Sequence, residues 1–316
     1  YTAAIAWLTR RQKLAETAVS LESIARNMPM AQPYSMLMMH SGDLSSDSIQ
    51  HEFRDRLLAR AAALETAEAG VARKLRVMES MLVFVYINMD VPVGIAKKGK
   101  DALEPMFFGG NWPGYHSMCR FFAVSIFWHP QIRNYDYYMR MDSDSYIITP
   151  MIEDPFRRAV RHGIRYAFRK AGGDPDFAVR KLPAYLLDYT NRHPKLDLAD
   201  KLRAGRFPVM KEDKDIPTWY NNWEIAHLAS FRKPEVADFL LDLLKHEEGF
   251  YKHRWGDAGL RRATTLMFFE PGTVVQYCDF KYHHQHPMYQ VALPTEDVSL
   301  TGLLYYPPSP VAADHP

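Results

Sequence analysis

Apolar and polar positions along the chain switch repeatedly between a period of two and a period near 3.6, and each switch marks an element. Ala3 to Thr9 is an apolar run that reads as a short buried strand. Gln12 to Asn27 spaces its apolar residues as a helix does, and Tyr34 to Met39 reads as a second strand, so the chain opens β-α-β in the manner of a nucleotide-binding sheet. Ser48 to Met78 is rich in Ala, Leu, Arg and Glu, has no proline and predicts helix, with Gly70 as its weak point. A strand over Leu82 to Ile87 follows, then a Gly-, Pro- and Lys-rich loop from Pro92 to Gly114. Helix is predicted for Ser117 to Phe127 and a strand for the aromatic run Tyr135 to Met141. The alternation continues with a strand at Arg165 to Phe168, a helix at Phe177 to Asn191, a charged irregular region from Lys195 to Pro217, helices at Pro234 to His246 and Asp257 to Met267, and a strand at Thr273 to Tyr277. These predict one α/β domain over residues 1–304 and an extended or disordered Pro-rich tail over 305–316.

Composition narrows the function. With 316 residues, 47% of them hydrophobic, the chain can bury a large core in one catalytic-size unit. Lys plus Arg (39) nearly balances Asp plus Glu (37), so no global field favours nucleic acid or an anionic membrane, and any phosphate must be recognised locally. Cys119 and Cys278 lie too far apart for a CxxC zinc module, which leaves one disulfide or two buried thiols. No apolar run is long enough to span a bilayer. The first residue, Tyr1, stands directly before a strand-like segment, so the chain reads as a piece of a longer protein and says nothing about a leader or an anchor.

The aromatic strand ends in Asp142-Ser143-Asp144. Two carboxylates fixed at a strand end suit a hard divalent cation whose other positions go to phosphate oxygens and water. The same spacing recurs in Asp174-Pro175-Asp176 and Asp213-Lys214-Asp215, but those sit in stretches that read as polar loops. The competing reading is a turn in which both aspartates bond nearby backbone N–H groups. Gly94 to Asp101 has the glycine spacing and lysine of a phosphate loop, but Asp101 stands where a metal-binding hydroxyl is required, and a kinase or ATPase reading fades with it. Tyr282-His283-His284-Gln285-His286 could complete a metal site or be an ordinary polar loop. Glu224 lies among aromatics and amides in Trp219 to His227, an environment that can orient a carboxylate, although it could equally start a helix. Asp257 is placed to cap a helix, Tyr115 stands at a loop-to-helix edge, and Arg120 could grip phosphate or form a salt bridge.

Taken in order, Tyr115 with Met118-Cys119-Arg120-Phe121, Tyr137 to Asp142, Asn222-Trp223-Glu224-Ile225-Ala226, and Gly249-Phe250-Tyr251 with Arg254-Trp255-Gly256-Asp257-Ala258 resemble glycosyltransferase family 15. These are fungal Golgi α-1,2-mannosyltransferases that use GDP-mannose and Mn²⁺. The resemblance extends over most of the chain and implies a GT-A-like nucleotide-sugar-binding sheet. It places Asp142 and Asp144 on the family's acidic metal motif, with Asp-Ser-Asp replacing Glu-Pro-Asp, and His284 on its metal-binding histidine. Glu224 falls on the carboxylate proposed as nucleophile of a retaining mechanism, Tyr115 on an active-site tyrosine and Asp257 on the acid of Trp-Gly-Asp. Arg10 lies in the donor-binding start. A family cysteine that precedes the Asn-x-Glu motif is replaced near Pro217, and Lys170 to Met210 matches poorly.

The reading that results is a retaining hexosyltransferase moving mannose from GDP-mannose to a glycan hydroxyl. Asp142, Asp144 and His284 hold Mn²⁺ or Mg²⁺, Asp144, Arg10 and Arg120 contact the diphosphate, and Glu224, Tyr115 and Asp257 serve the chemistry. By the same resemblance the protein works in the Golgi lumen, on a glycan or glycoprotein acceptor. A non-catalytic sugar- or nucleotide-binding protein on the same fold, a transferase for another nucleotide sugar and a metal-dependent hydrolase are the alternatives.

Overall fold

The computed structural model describes residues 1–99 and 112–285. The elements, in order, are β1 (Ala3–Leu8), α1 (Leu14–Asn27), β2 (Ser35–His40), α2 (Asp47–Leu64), α3 (Ala69–Ser80), β3 (Leu82–Tyr86), α4 (Val93–Lys98), α5 (Gly114–Ala123), β4 (Tyr137–Asp142), β5 (Ser145–Ile147) and α6 (Pro155–Arg161). They continue with β6 (Tyr166–Asp174), α7 (Leu182–Arg192), α8 (Leu198–Ala204), β7 (Ile216–His227), α9 (Leu228–Phe231), α10 (Pro234–Lys245), α11 (Glu247–Tyr251), α12 (Asp257–Phe268), β8 (Val274–Gln276) and β9 (Tyr282–His284).

Seven strands form one sheet in the order β3-β2-β1-β4-β7-β6-β8, in which β7 runs antiparallel to both its neighbours; β5 and β9 form a separate antiparallel pair. Alternate residues of β1 feed two cores. Ala4 and Ala6 face the layer that holds Phe122, Phe127 and Phe231, whereas Ile5 and Trp7 face the layer that holds Leu21, Ile24 and Phe53. A strand covered on both faces has no polar side, which is why Ala3 to Leu8 reads as a continuous apolar run.

The predicted β-α-β opening is present as β1-α1-β2, and the long helical stretch divides at residues 65–68, just ahead of Gly70. Four local readings differ. Part of the predicted loop is α4, which carries Gly94 to Lys98 on helical backbone and removes the phosphate-loop reading. The charged region contains α8. Trp219 to His227 belongs to a twelve-residue strand, so Glu224 starts no helix: its aromatic and β-branched neighbours fill a pleated, half-buried surface. Cys119 is buried, Cys278 is exposed and both are free thiols, so neither cysteine alternative is met as stated. Among the described residues no helix is long and apolar enough to cross a membrane. His286 and the predicted tail at 305–316 lie outside the described residues.

Between β6 and β7 the register slips. Phe168 pairs with Glu224 and Lys170 with Tyr220, so β7 spends residues 221, 222 and 223 where β6 has only Arg169. Such a bulge re-aims side chains and is common beside binding sites.

Candidate active site

The strand order turns back between β1 and β4: β2 and β3 extend the sheet on one side of β1, and β4 lies on the other. In open α/β sheets the crevice outside the carboxyl ends of such strands is the ligand site. Leu8 and Asp142, the last residues of β1 and β4, are register partners there. The turn after β4 presents Asp144, and β9, paired to β5 with His284 opposite Ser145, brings the late histidine alongside.

Asp142, Asp144 and His284 can each offer one ligand atom, all within 4.8 Å of one another. His284 Nε2 lies 3.3 Å from Asp144 Oδ1 and 3.5 Å from Asp142 Oδ2. It is buried and makes no aligned hydrogen bond, whereas Nδ1 is 3.1 Å from the Tyr220 hydroxyl, which fixes the ring. Burial opposes the charged forms of both partners, but their attraction outweighs it. Asp144 is held below its ordinary value, and His284, drawn up by Asp142 and Asp144, rises to about 9.

A cleft of about 440 Å³ opens beside this cluster, lined by Asp142, His284, Tyr115, Arg140, Asp257, Asn221, Asn222, Lys170 and Asp174 among others. Its floor is Arg140, which is 3% exposed, lies 3.7 Å over the Phe122 ring, and reaches Asp142 Oδ1 at 2.9 Å through Nε and Asp257 Oδ2 through its terminal nitrogen. Asn221 Nδ2 donates to the same Asp257 oxygen at 2.8 Å. Burial pushes Asp257 up, but Arg140 overcomes it and holds the carboxyl below the usual range. Asp257 is the first residue of α12, with Gly256 at the cap position, so its carboxylate serves this ion pair instead of capping the helix. Tyr115, on the first turn of α5, accepts a hydrogen bond from Arg254 at 3.0 Å.

Glu224 is not brought into the cleft. It is fully buried beneath the floor, where Tyr138 and Tyr166 (2.8 Å) donate their hydroxyls to it and Arg261 donates through Nε at 3.0 Å and a terminal nitrogen at 3.2 Å. The Arg261 guanidinium stacks on Phe127 and Phe231. Arg10 is exposed just after β1, and Arg120 is half-buried on α5 outside the cleft lining.

The cleft also holds residues that sequence reasoning passed over. Asp174 ends β6 inside it, and burial raises its pKa against the opposing charge of Arg254. Its Asp-Pro-Asp spacing was the available signal, but Gly172 and Gly173 disguise the strand that delivers it. Arg140 carried no signal beyond standing two residues before Asp142, and Asn222 is re-aimed by a bulge that has no signature in a single sequence.

The family model described as glycolipid 2-alpha-mannosyltransferase matches residues 93–299. The Saccharomyces cerevisiae glycolipid 2-alpha-mannosyltransferase is 25% identical over 185 residues, which cover 58% of this chain and 41% of that protein. The O-glycoside alpha-1,2-mannosyltransferase homolog 3 of Schizosaccharomyces pombe is 26% identical over 205 residues, covering 63% and 53%. The chain thus spans about half the length of the curated relatives it matches. Core-mannan synthase A of Aspergillus fumigatus, solved in its Mn/GDP form, superposes with a TM-score of 0.71 at 18% identity over 90% of this chain and 75% of that one. Mannosyltransferase Ktr4p of S. cerevisiae in complex with GDP gives 0.71 and 18% over 90% and 71%. These likenesses bear out the expected GT-A-like α/β fold. With the family model covering more than half of its residues, on a sheet of that architecture, the chain belongs to the glycolipid 2-alpha-mannosyltransferase family, glycosyltransferase family 15.

Proposed function

We propose that this protein transfers mannose from GDP-mannose to a glycan hydroxyl, with retention at the anomeric carbon and dependence on Mn²⁺ or Mg²⁺. The observation that carries the reading is the Asp142, Asp144 and His284 cluster at the sheet's switch point, beside a cleft of about 440 Å³. One imidazole and two carboxylates suit such a cation, and the buried His284 Nε2, facing both carboxylates without an aligned hydrogen bond, fits a ligand atom awaiting its ion. When bound, the ion would neutralise charge on the departing diphosphate.

The chain's own residues divide the remaining work. Arg10, just after β1, and Arg120 are proposed to add charge-assisted contacts to the diphosphate. Tyr115 and Asp257 face the cleft, where they orient the reacting sugars, and Arg140 holds Asp142 in place and keeps Asp257 ionised. Glu224, beneath Arg140, supports that floor through buried charge instead of touching the reacting carbon. The relatives' names support a glycan or glycoprotein acceptor and an α-1,2 linkage, and the family supports action in the secretory pathway, in the Golgi lumen.

Calorimetry with GDP, followed by a donor screen, tests the proposal. GDP should bind at least about tenfold more tightly with Mn²⁺ than with EDTA, and Asp142→Ala should remove most of that difference. Equal affinity under both conditions excludes the metal from donor binding. Preference for UDP-sugars overturns the mannose assignment, and binding without turnover on any acceptor favours a non-catalytic sugar-binding protein.

A further inference from the structure

Two adjacent asparagines leave the β7 bulge, and their fates differ. Asn221 gives its Nδ2 to Asp257. Asn222 is 4% exposed and lines the cleft, yet among the described residues neither its Oδ1 nor its Nδ2 makes an aligned hydrogen bond. The Tyr220 hydroxyl is a hydrogen-bonding neighbour of this carboxamide, but it is shared with His284 Nδ1, which leaves the Asn222 Oδ1 and the rest of its amide to the cleft. Buried polar groups are almost always satisfied, so a carboxamide in a cleft with nothing but a shared phenol beside it calls for a ligand.

The surroundings say which part of a ligand it meets. One step beyond the Met141–Trp223 pair, Asn222 comes level with Asp142. Its backbone is held from the other side, since Ser145 Oγ donates to the Asn222 carbonyl at 3.3 Å. The carboxamide therefore stands beside the cation cluster on fixed backbone, presenting one donor and one acceptor group side by side. That pair matches two neighbouring hydroxyls, one accepting and one donating, and its neutrality suits an uncharged polyol instead of a second phosphate or a carboxylate. We infer that Asn222 is a specificity-determining residue that reads adjacent hydroxyls of the sugar being transferred. The inference rests on the donor reading above, because it takes the diphosphate to lie at Asp142.

The test compares wild type, Asn222→Ala and Asn221→Ala, using Mn²⁺ with GDP, GDP-mannose and GDP-mannose analogues lacking single ring hydroxyls. Asn222→Ala should bind GDP within about twofold of wild type, yet lose about tenfold or more in kcat/KM for GDP-mannose. Wild type should reject one of the deoxy donors by a similar factor, and Asn222→Ala should not. Since Asn222 has only a share of the Tyr220 hydroxyl, which keeps His284 as its partner, its alanine variant should melt close to wild type, whereas Asn221→Ala, which takes a donor from Asp257, should melt lower. An Asn222→Ala protein that fails to fold, that loses GDP and GDP-mannose equally, or that keeps the wild-type ranking of deoxy donors overturns the inference. Wild type that binds neither GDP nor GDP-mannose defeats the donor reading and this inference with it, an outcome distinct from wild-type donor binding that Asn222→Ala leaves intact.

Discussion

Glu224 and Arg261 are both without solvent exposure and neutralise each other between aromatic rings. A buried pair of this kind adds little net stability, but breaking it strands a charge. Glu224→Gln should therefore lower unfolding free energy by about 3–5 kcal/mol in denaturant titrations. Replacing Arg261 by Met in the same chain should return part of that loss, since the two changes share one interaction. A Glu224→Gln protein as stable as wild type would show that the carboxylate is not compensating Arg261. In the sequence the aromatics and amides around Glu224 were visible, but they suit a sealed network as well as a sugar cleft. Only Tyr138 and Tyr166, on strands 86 and 58 residues away, decide between the two. The metal cluster was more legible, because Asp142 and Asp144 follow a strand whose apolar run is unmistakable, whereas His284 is assigned to it by the family resemblance and its short strand appears only in the fold.

Elements read well where their pattern is continuous and poorly where a partner imposes them. β1, α1, β2 and α10 declare themselves by period, whereas the far half of β6, from Lys170 to Asp174, is a strand because β7 pairs with it and not through its own residues. α11 shows the same dependence at close range. A Cβ on Gly249 would fall inside the envelope of the Trp255 ring, and that indole is pinned by its 2.8 Å hydrogen bond to the Arg180 carbonyl. Gly249→Ala must therefore push the Trp255-Gly256-Asp257 segment. It should cost about 1–3 kcal/mol in thermal or denaturant unfolding and reduce the proposed sugar transfer as Asp257 shifts, and an unchanged melting temperature would argue that the segment yields freely.

For the molecule as a whole, acid is the condition that separates its buried charges. His116 is 1% exposed, stacked on Tyr251, and neither ring nitrogen has a hydrogen bond among the described residues. Burial, aided by the nearby charge of Arg254, lowers its pKa to about 4. Its folded pKa lies below the unfolded value, so the unfolded chain takes up the proton first. Stability is unaffected near pH 7, falls as the pH drops through about 6.5, and stops falling from this cause near 4. Asp257, depressed by Arg140, adds a further loss at lower pH as it is forced to protonate. His116→Phe should flatten the upper part of this limb by on the order of 1–2 kcal/mol in pH-dependent unfolding curves, allowing for solvent screening. An identical limb in the variant would assign the acid sensitivity to other groups.

The Glu224 network joins β4 through Tyr138, β6 through Tyr166, β7 through Glu224 itself and α12 through Arg261, and α12 begins at Asp257. The base of the cleft is therefore set when the chain folds, and a change there risks the whole core. The opposite wall, Lys170 to Gly173, is exposed; a Cβ on Gly173 would meet the Ile216 carbonyl at an ordinary 3.5 Å, and one on Gly172 would press at 3.2 Å on Thr218 Oγ1. Substitution therefore has room along that wall and almost none on the floor, so what the cleft admits can change without dismantling the charged base beneath it.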